Sequence, residues 1–206
     1  MSDMPRCFIF GALPAGELSK KPCKGDLIIA ADKGYDRVRE LGLTPDIVVG
    51  DFDSLGEIPQ VDNLVRLNVR KDDTDVGHAV ELGFERGYTD FIVYGAVGGL
   101  LDHTLANIAI AHDIAARGGR AMFIGGGHIF TVIHNGEISL PVRDSGRVSV
   151  FALGGTAHGV NIHGLSYEAE DIDIPCTSHI GVSNAFIGEG AKVSVTDGDL
   201  LVIYQN

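Results

Sequence analysis

Two carboxylates one residue apart, Asp51 and Asp53, close the stretch Asp46-Ile47-Val48-Val49-Gly50-Asp51-Phe52-Asp53-Ser54. In extended chain, side chains at i and i+2 project to the same side. The pair therefore points together from the end of an apolar strand. Repulsion between two such carboxylates is relieved most simply by a divalent cation bound through oxygen. In open α/β sheets, ligands sit outside the carboxyl ends of the strands. Gly-Asp-x-Asp-Ser is also a good turn, since Asp and Ser make local Asx-type bonds. Taken alone, the pair does not decide between turn and metal site.

Two further stretches bear on that choice. Arg70-Lys71-Asp72-Asp73-Thr74-Asp75 precedes Val76, Ala79, Val80 and Gly83, which are at helical spacing. Capping and the helix macrodipole account for one or two of these acids. Arg70 and Lys71 are the odd part, because a helix start does not favour cations. The third stretch runs Gly95-Ala96-Val97-Gly98-Gly99-Leu100-Leu101-Asp102-His103-Thr104-Leu105-Ala106-Asn107. Glycines such as Gly98 and Gly99, between a strand end and a helix start, let backbone N–H groups approach an anion closely. Such loops also arise for packing reasons alone. His103 and Asn107 are four apart and share a face near the helix start. With Asp102 at the mouth of the glycine loop, they point towards ligand contact.

The elements that must position these residues alternate through the first half. Cys7 to Gly11, Asp26 to Ala31, Ile47 to Val49 and Asp90 to Tyr94 are short apolar runs, as in parallel strands covered on both faces. Tyr35 to Gly42 reads as a helix closed by glycine, and Leu64 to Asn68 as an edge strand. The helix after the glycine loop is apolar all round, which predicts deep burial. Arg120 to Gly125 is the last strand of this region. Beyond it come short runs every 8 to 12 residues and no helical pattern. Asn135-Gly136 and Asp197-Gly198 there are strong hairpin signals. The expected architecture is an α/β N-terminal domain with a mainly parallel sheet over residues 1–130. An all-β antiparallel sandwich or barrel domain follows over residues 131–206.

The composition narrows the partners. With 206 residues and a net charge of −12, neither a nucleic-acid backbone nor an anionic membrane is expected as partner. A nucleotide would need metal ions or local donors, whereas a cationic substrate would be attracted. Cys7, Cys23 and Cys176 are odd in number and lie at no metal-ligand spacing, so three reduced thiols are expected. The first residues lack a secretory pattern, and no uncharged apolar stretch approaches the roughly 18 residues of a spanning helix. A soluble, cytoplasmic protein is expected.

Assembled in order, these stretches resemble the thiamine pyrophosphokinase (thiamine diphosphokinase) family. The resemblance rests on Ala31-Asp32-Lys33-Gly34, Pro45 to Ser54, Lys71 to Asp75, Gly95 to Gly99 and Leu101 to Asn107. Gly164-Leu165-Ser166-Tyr167 and Gly181-Val182-Ser183-Asn184 complete it. It implies transfer of pyrophosphate from ATP to the hydroxyl of thiamine, giving thiamine diphosphate and AMP, with Mg²⁺. It implies further that Asp51, Asp53 and Asp75 hold the metal, with Asp32 alongside. Asp32, Lys71, Asp72, Gly98, Gly99, Asp102, His103 and Asn107 would serve the nucleotide. Ser183 and Asn184 would contact thiamine in the β domain, usually across a homodimer interface.

Two departures stand out. Leu100 occupies the place where the family usually has arginine, leaving Arg70, Lys71 or Lys33 to compensate. There is no tryptophan to stack on thiamine, and Tyr167, His179 or Phe186 are the aromatic alternatives. Two competing readings use the same residues. One is a metal-dependent phosphoesterase, and the other a thiamine- or nucleotide-binding module whose catalysis has lapsed.

Overall fold

The apolar runs of the first half become strands β1 (Cys7–Phe10), β2 (Leu27–Ala31), β3 (Ile47–Gly50), β4 (Leu64–Arg66), β5 (Asp90–Tyr94) and β6 (Arg120–Gly125). The computed structural model describes residues 4–14, 16–50, 64–66 and 74–206, without the side chains of Leu64 and Arg66. Two compact units divide the chain, Met1–Ile110 with Ala121–Gly127, and Ala111–Arg120 with His128–Asn206.

The sheet of the first unit has the order β4-β3-β2-β1-β5-β6. Every pairing from β4 to β5 is parallel, with Cys7 opposite Leu27 and Ile29 opposite Ile47. All four residues of β1 and of β3 are buried, as a parallel sheet covered on both faces requires. Helix α1 (Gly34–Glu40) lies against β1 and β2, and α2 (Asp75–Glu85) against β1, β2 and β3. Phe10 and Tyr94 stack at the ends of neighbouring strands, with ring centroids 5.6 Å apart.

Asp26 fastens the opposite end of that sheet. Its carboxylate accepts the N–H groups of Arg6 at 2.8 Å and Cys23 at 2.9 Å, and the Cys23 thiol at 3.2 Å. Burial pulls its pKa upward, but the hydrogen bonds from Arg6 and Cys23 outweigh it and hold the carboxyl below its usual value. A depressed folded-state pKa gives stability that is present above the unfolded value and lost as pH falls through the folded one. Asp26→Asn is therefore expected to flatten the acid limb of the stability curve below about pH 4. Denaturant midpoints from pH 6 down to pH 2 check this. Cys7, Cys23 and Cys176 form no disulfide with one another, and burial pushes the Cys7 thiol far above its ordinary pKa.

Helix α3 (Leu101–Ala116) differs from expectation. Leu101 is 74% and Leu105 58% exposed, while Asn107, Ala111, Ile114 and Ala115 are buried. The buried side follows an i, i+4, i+7, i+8 spacing made mostly of small residues. The leucines face outward. An all-round apolar pattern cannot say which stripe will be covered, so deep burial did not follow from it.

The second unit contains β7 (His128–His134), β8 (Glu137–Leu140), β9 (Arg147–His163), β10 (Ala169–Pro175), β11 (Asn184–Ala185), β12 (Ala191–Ser194) and β13 (Asp197–Gln205). Their order is β7-β13-β9-β12-β8, with β10 and β11 also on β9. All these pairings are antiparallel. The 17-residue β9 pairs with β13 over Val148–Leu153 and with β10 and β12 nearer its end. Gly154 and Gly159, at φ +67° and +62°, lie within it, where bends of a long strand are accommodated.

The two expected hairpins are not hairpins. Asn135-Gly136 joins β7 to β8, yet β7 pairs with β13 and β8 with β12. Asp197-Gly198 opens β13, whose neighbours are β7 and β9, not β12. Both are corners at which the chain leaves one neighbour set for another. The Asn135 N–H donates to Gly198 O at 3.1 Å, and the Gly198 N–H donates to Asn135 Oδ1 at 2.8 Å. Asn-Gly and Asp-Gly signal a positive φ, and corners use that conformation as readily as hairpins do. Among the described residues no helix is long and apolar enough to cross a membrane.

Candidate active site

In the first unit, the carboxyl ends of the strands carry the predicted positions. Asp32 follows β2 at φ +50°, a conformation few non-glycine residues adopt. Its N–H donates to Val49 O at 2.7 Å, and its carbonyl accepts the Tyr35 N–H at 3.1 Å. A Cβ on Gly50 would stand 3.2 Å from Asp32 Cα, so the ends of β2 and β3 touch. Asp51 is the next residue in the chain after Gly50. Asp51, Asp53, Lys71 and Asp72 themselves lie outside the described residues.

Asp75 is the first residue of α2. Thr74 provides the cap, its hydroxyl accepting the Gly77 N–H at 3.1 Å. Thr74 thus does the capping work, and Asp75 adds an acid to the first turn, where the dipole favours one. Helix α2, which Asp75 opens, packs on β1, β2 and β3, and Asp32 follows β2. Among the described residues, no group of three or more His, Cys, Asp or Glu side chains is arranged to hold a metal ion.

The glycine loop is held from several directions. Asn107 is 5% exposed, and its Nδ2 donates to Ala96 O at 2.6 Å. Gly95 and Gly98 have φ of +69° and +93°. A side chain on Gly95 would collide with Leu13 O, and a Cβ on Gly98 would lie 2.9 Å from Gly126 Cα. These two glycines are required by packing, whatever binds the loop. Asp102 and His103 are exposed, and the Asp102 carboxylate accepts the His103 N–H at 2.8 Å. Leu100 is 67% exposed.

One support was not apparent from the residues alone. The connector between β1 and β2 is stapled to the strand that feeds this loop. Gly11 N–H donates to Tyr94 O at 2.7 Å and Leu13 N–H to Gly95 O at 3.0 Å. Fully buried Tyr94 accepts the Lys20 N–H at 2.8 Å on its hydroxyl, which in turn donates to Lys20 O at 3.0 Å. Tyr94→Phe removes both bonds, so the N–H and C=O of Lys20 lose this partner. We expect a loss of about 1–2 kcal/mol and faster tryptic cleavage after Lys20, measured by thermal melting and limited proteolysis.

In the second unit, Ser183 is exposed at φ +63°, its N–H donating to Ser149 Oγ at 3.2 Å. Asn184 is 6% exposed. Its Oδ1 accepts the N–H groups of Tyr167 and Ala185, each at 2.9 Å, and its Nδ2 donates to Tyr167 O at 2.6 Å. Of the three aromatic alternatives, Phe186 is buried edge-on against Tyr204 at 6.2 Å. Tyr167 is 74% exposed, and His179 is also exposed. Asp199, unremarked in the sequence, receives His112 Nε2 at 3.1 Å and His134 Nδ1 at 2.7 Å. Its position opposite His134 across β7 and β13 was not legible without the strand pairing.

Comparison with known proteins decides the family. The thiamin pyrophosphokinase catalytic domain matches residues 22–123, and the thiamin pyrophosphokinase vitamin B1 binding domain matches residues 137–200. The chain belongs to the thiamine pyrophosphokinase family. It is thus an enzyme of the class that forms thiamine diphosphate from thiamine. The thiamine pyrophosphokinase of Bacillus subtilis (strain 168) is 24% identical over 184 residues, 86% of each chain. Among solved structures, a thiamine pyrophosphokinase from Bacillus subtilis superposes with a TM-score of 0.85 at 22% identity, covering 98% of this chain and 99% of that one. One from Geobacillus thermodenitrificans gives 0.80 at 23%, covering 98% and 97%. The Candida albicans enzyme gives 0.73 at 17%, covering 98% and 89%. These likenesses carry the two-domain fold. The phosphoesterase and binding-only readings are not favoured by the family matches.

Proposed function

We propose that this thiamine pyrophosphokinase transfers the pyrophosphoryl group of ATP to the primary hydroxyl of thiamine, releasing AMP. The reading is supported most by Asp32, locked at a positive φ against Gly50, the residue before Asp51, on the carboxyl edge of a parallel sheet. Asp51, Asp53 and Asp75, with Asp32 alongside, form an all-oxygen, acidic donor set that suits a hard cation such as Mg²⁺. Bound there, Mg²⁺ would neutralise charge on the phosphate oxygens.

The chain's own residues bind and orient. Backbone N–H groups of the loop through Gly98 and Gly99, with Lys71, Asp72, Asp102 and His103, serve the nucleotide. Asn107 contributes by holding Ala96. Lys33, exposed before α1, is one cation available where Leu100 replaces arginine. The thiamine oxygen forms a bond to the β-phosphorus while the bond from that phosphorus to the AMP oxygen breaks in line. The hydroxyl proton passes to Asp53 or Asp75. Such transfer is mainly positioning and charge neutralisation. Ser183 and Asn184, with the exposed ring of Tyr167, form the face that takes thiamine. The net charge of −12 suits the thiazolium cation.

The purified protein with Mg²⁺, ATP and thiamine is expected to release AMP and thiamine diphosphate in equal amounts. Inorganic phosphate released from ATP without thiamine would instead support the phosphoesterase reading. A homodimer in a cytoplasmic setting is part of the same proposal, and sizing at twice the monomer mass checks the dimer.

A further inference from the structure

Residues 165–167 run beside 184–186 in the second unit. Ser166 N–H donates to Ala185 O at 3.0 Å, and Leu165 bridges Phe186 in antiparallel fashion. At position 167 the ladder has no backbone partner of this kind. The Asn184 carboxamide takes its place, binding both the N–H and the C=O of Tyr167. A carboxamide can do this because it carries donor and acceptor on one planar group. Three of its bonds go to main chain, and only 6% of the residue is exposed. Asn184 therefore offers little to a ligand directly. Flanking it are two groups that offer much more, the exposed Ser183 and the Tyr167 ring at 74% exposure.

We propose that Asn184 is a positioning residue that acts through Tyr167, fixing the peptide from which the phenol ring meets a planar cationic substrate. The inference rests on the reading that this face takes thiamine. An aromatic face attracts a thiazolium by cation–π and stacking forces, and it does so best when its backbone is already ordered. The two family-like stretches Gly164 to Tyr167 and Gly181 to Asn184 are thereby one device. One supplies the ring and the other holds it.

A double-mutant cycle separates this role from direct contact. Tyr167→Ala is expected to raise the thiamine KM about tenfold, with the ATP KM and kcat within about twofold of the parent. Asn184→Ala in the parent should raise the thiamine KM to a similar extent. In the Tyr167→Ala background the same change should add less than about twofold. Multiplying effects, each substitution costing its full factor in the presence of the other, would overturn the proposal in favour of direct contact. An unchanged thiamine KM in Tyr167→Ala, with product still formed, would overturn it together with the thiamine-face reading. An unchanged KM in Asn184→Ala alone would overturn only the positioning role.

Because Asn184 is buried, Asn184→Asp provides a second cycle if the alanine variant does not fold. It keeps an acceptor for both N–H groups and sets a charged oxygen against Tyr167 O in place of the donor, which breaks the hold on Tyr167 from that side, so the same non-additivity is expected. The chain contains no tryptophan, so Tyr167→Trp gives a single reporter for a readout independent of turnover. Thiamine should quench its emission, and adding Asn184→Asp should shift that titration about tenfold towards higher thiamine. An unshifted titration overturns the positioning role.

Discussion

Asp53→Ala is expected to lower thiamine diphosphate formation by roughly 10³-fold or more, the scale seen when a group that stabilises transferring-phosphoryl charge is lost. Stability should not follow activity. Asp51 and Asp53 are one residue apart, and in a metal-free protein two adjacent carboxylates repel. Removing one relieves that repulsion, so the melting temperature measured in chelator should be unchanged or higher. Mn²⁺ titration followed by its paramagnetic signal supplies a second readout. The variant should bind the ion more weakly than the parent. Activity within tenfold of the parent, or unaltered Mn²⁺ binding, would remove Asp53 from the metal site.

Gly34→Ala carries the largest expected effect on stability. Gly34 opens α1, and a side chain there would fall inside the envelope of the Phe10 carbonyl oxygen, with Gly11 O also close. The obstacle is backbone in a fully buried strand, which cannot swing aside as a flexible side chain would. Overpacking of this kind costs about 3 kcal/mol. In a chain of this size that lowers the melting temperature by roughly 6–12 °C. A loss below about 1 kcal/mol would mean that α1 and β1 separate easily. The glycine in Ala31-Asp32-Lys33-Gly34 is thus a packing requirement that lets the helix start directly behind Asp32.

What could be read from the residues alone follows this division. Continuous apolar runs ending in glycine or acid announced the parallel strands, because both faces of such a sheet are covered. Strand β10 went unnoticed since only Ile174 of Ala169–Pro175 is buried, and an exposed acidic strand has no apolar pattern to follow. The corners at Asn135 and Gly198 show the limit of turn chemistry. It reports a local φ and says nothing of which strands then pair. Asn107 and Asn184 show a corresponding limit for sites. A polar residue in a family-like stretch reads as a ligand contact, yet both are buried and bonded to the backbone of the segment beside them. That burial and those backbone bonds are what sequence spacing could not supply.

The claim that the thiamine hydroxyl attacks the β-phosphorus is tested most directly with ATP labelled at that phosphorus. The account predicts that all transferred label appears in thiamine diphosphate and that the AMP released is unlabelled. Label retained in ADP, with thiamine monophosphate as the product, would contradict it.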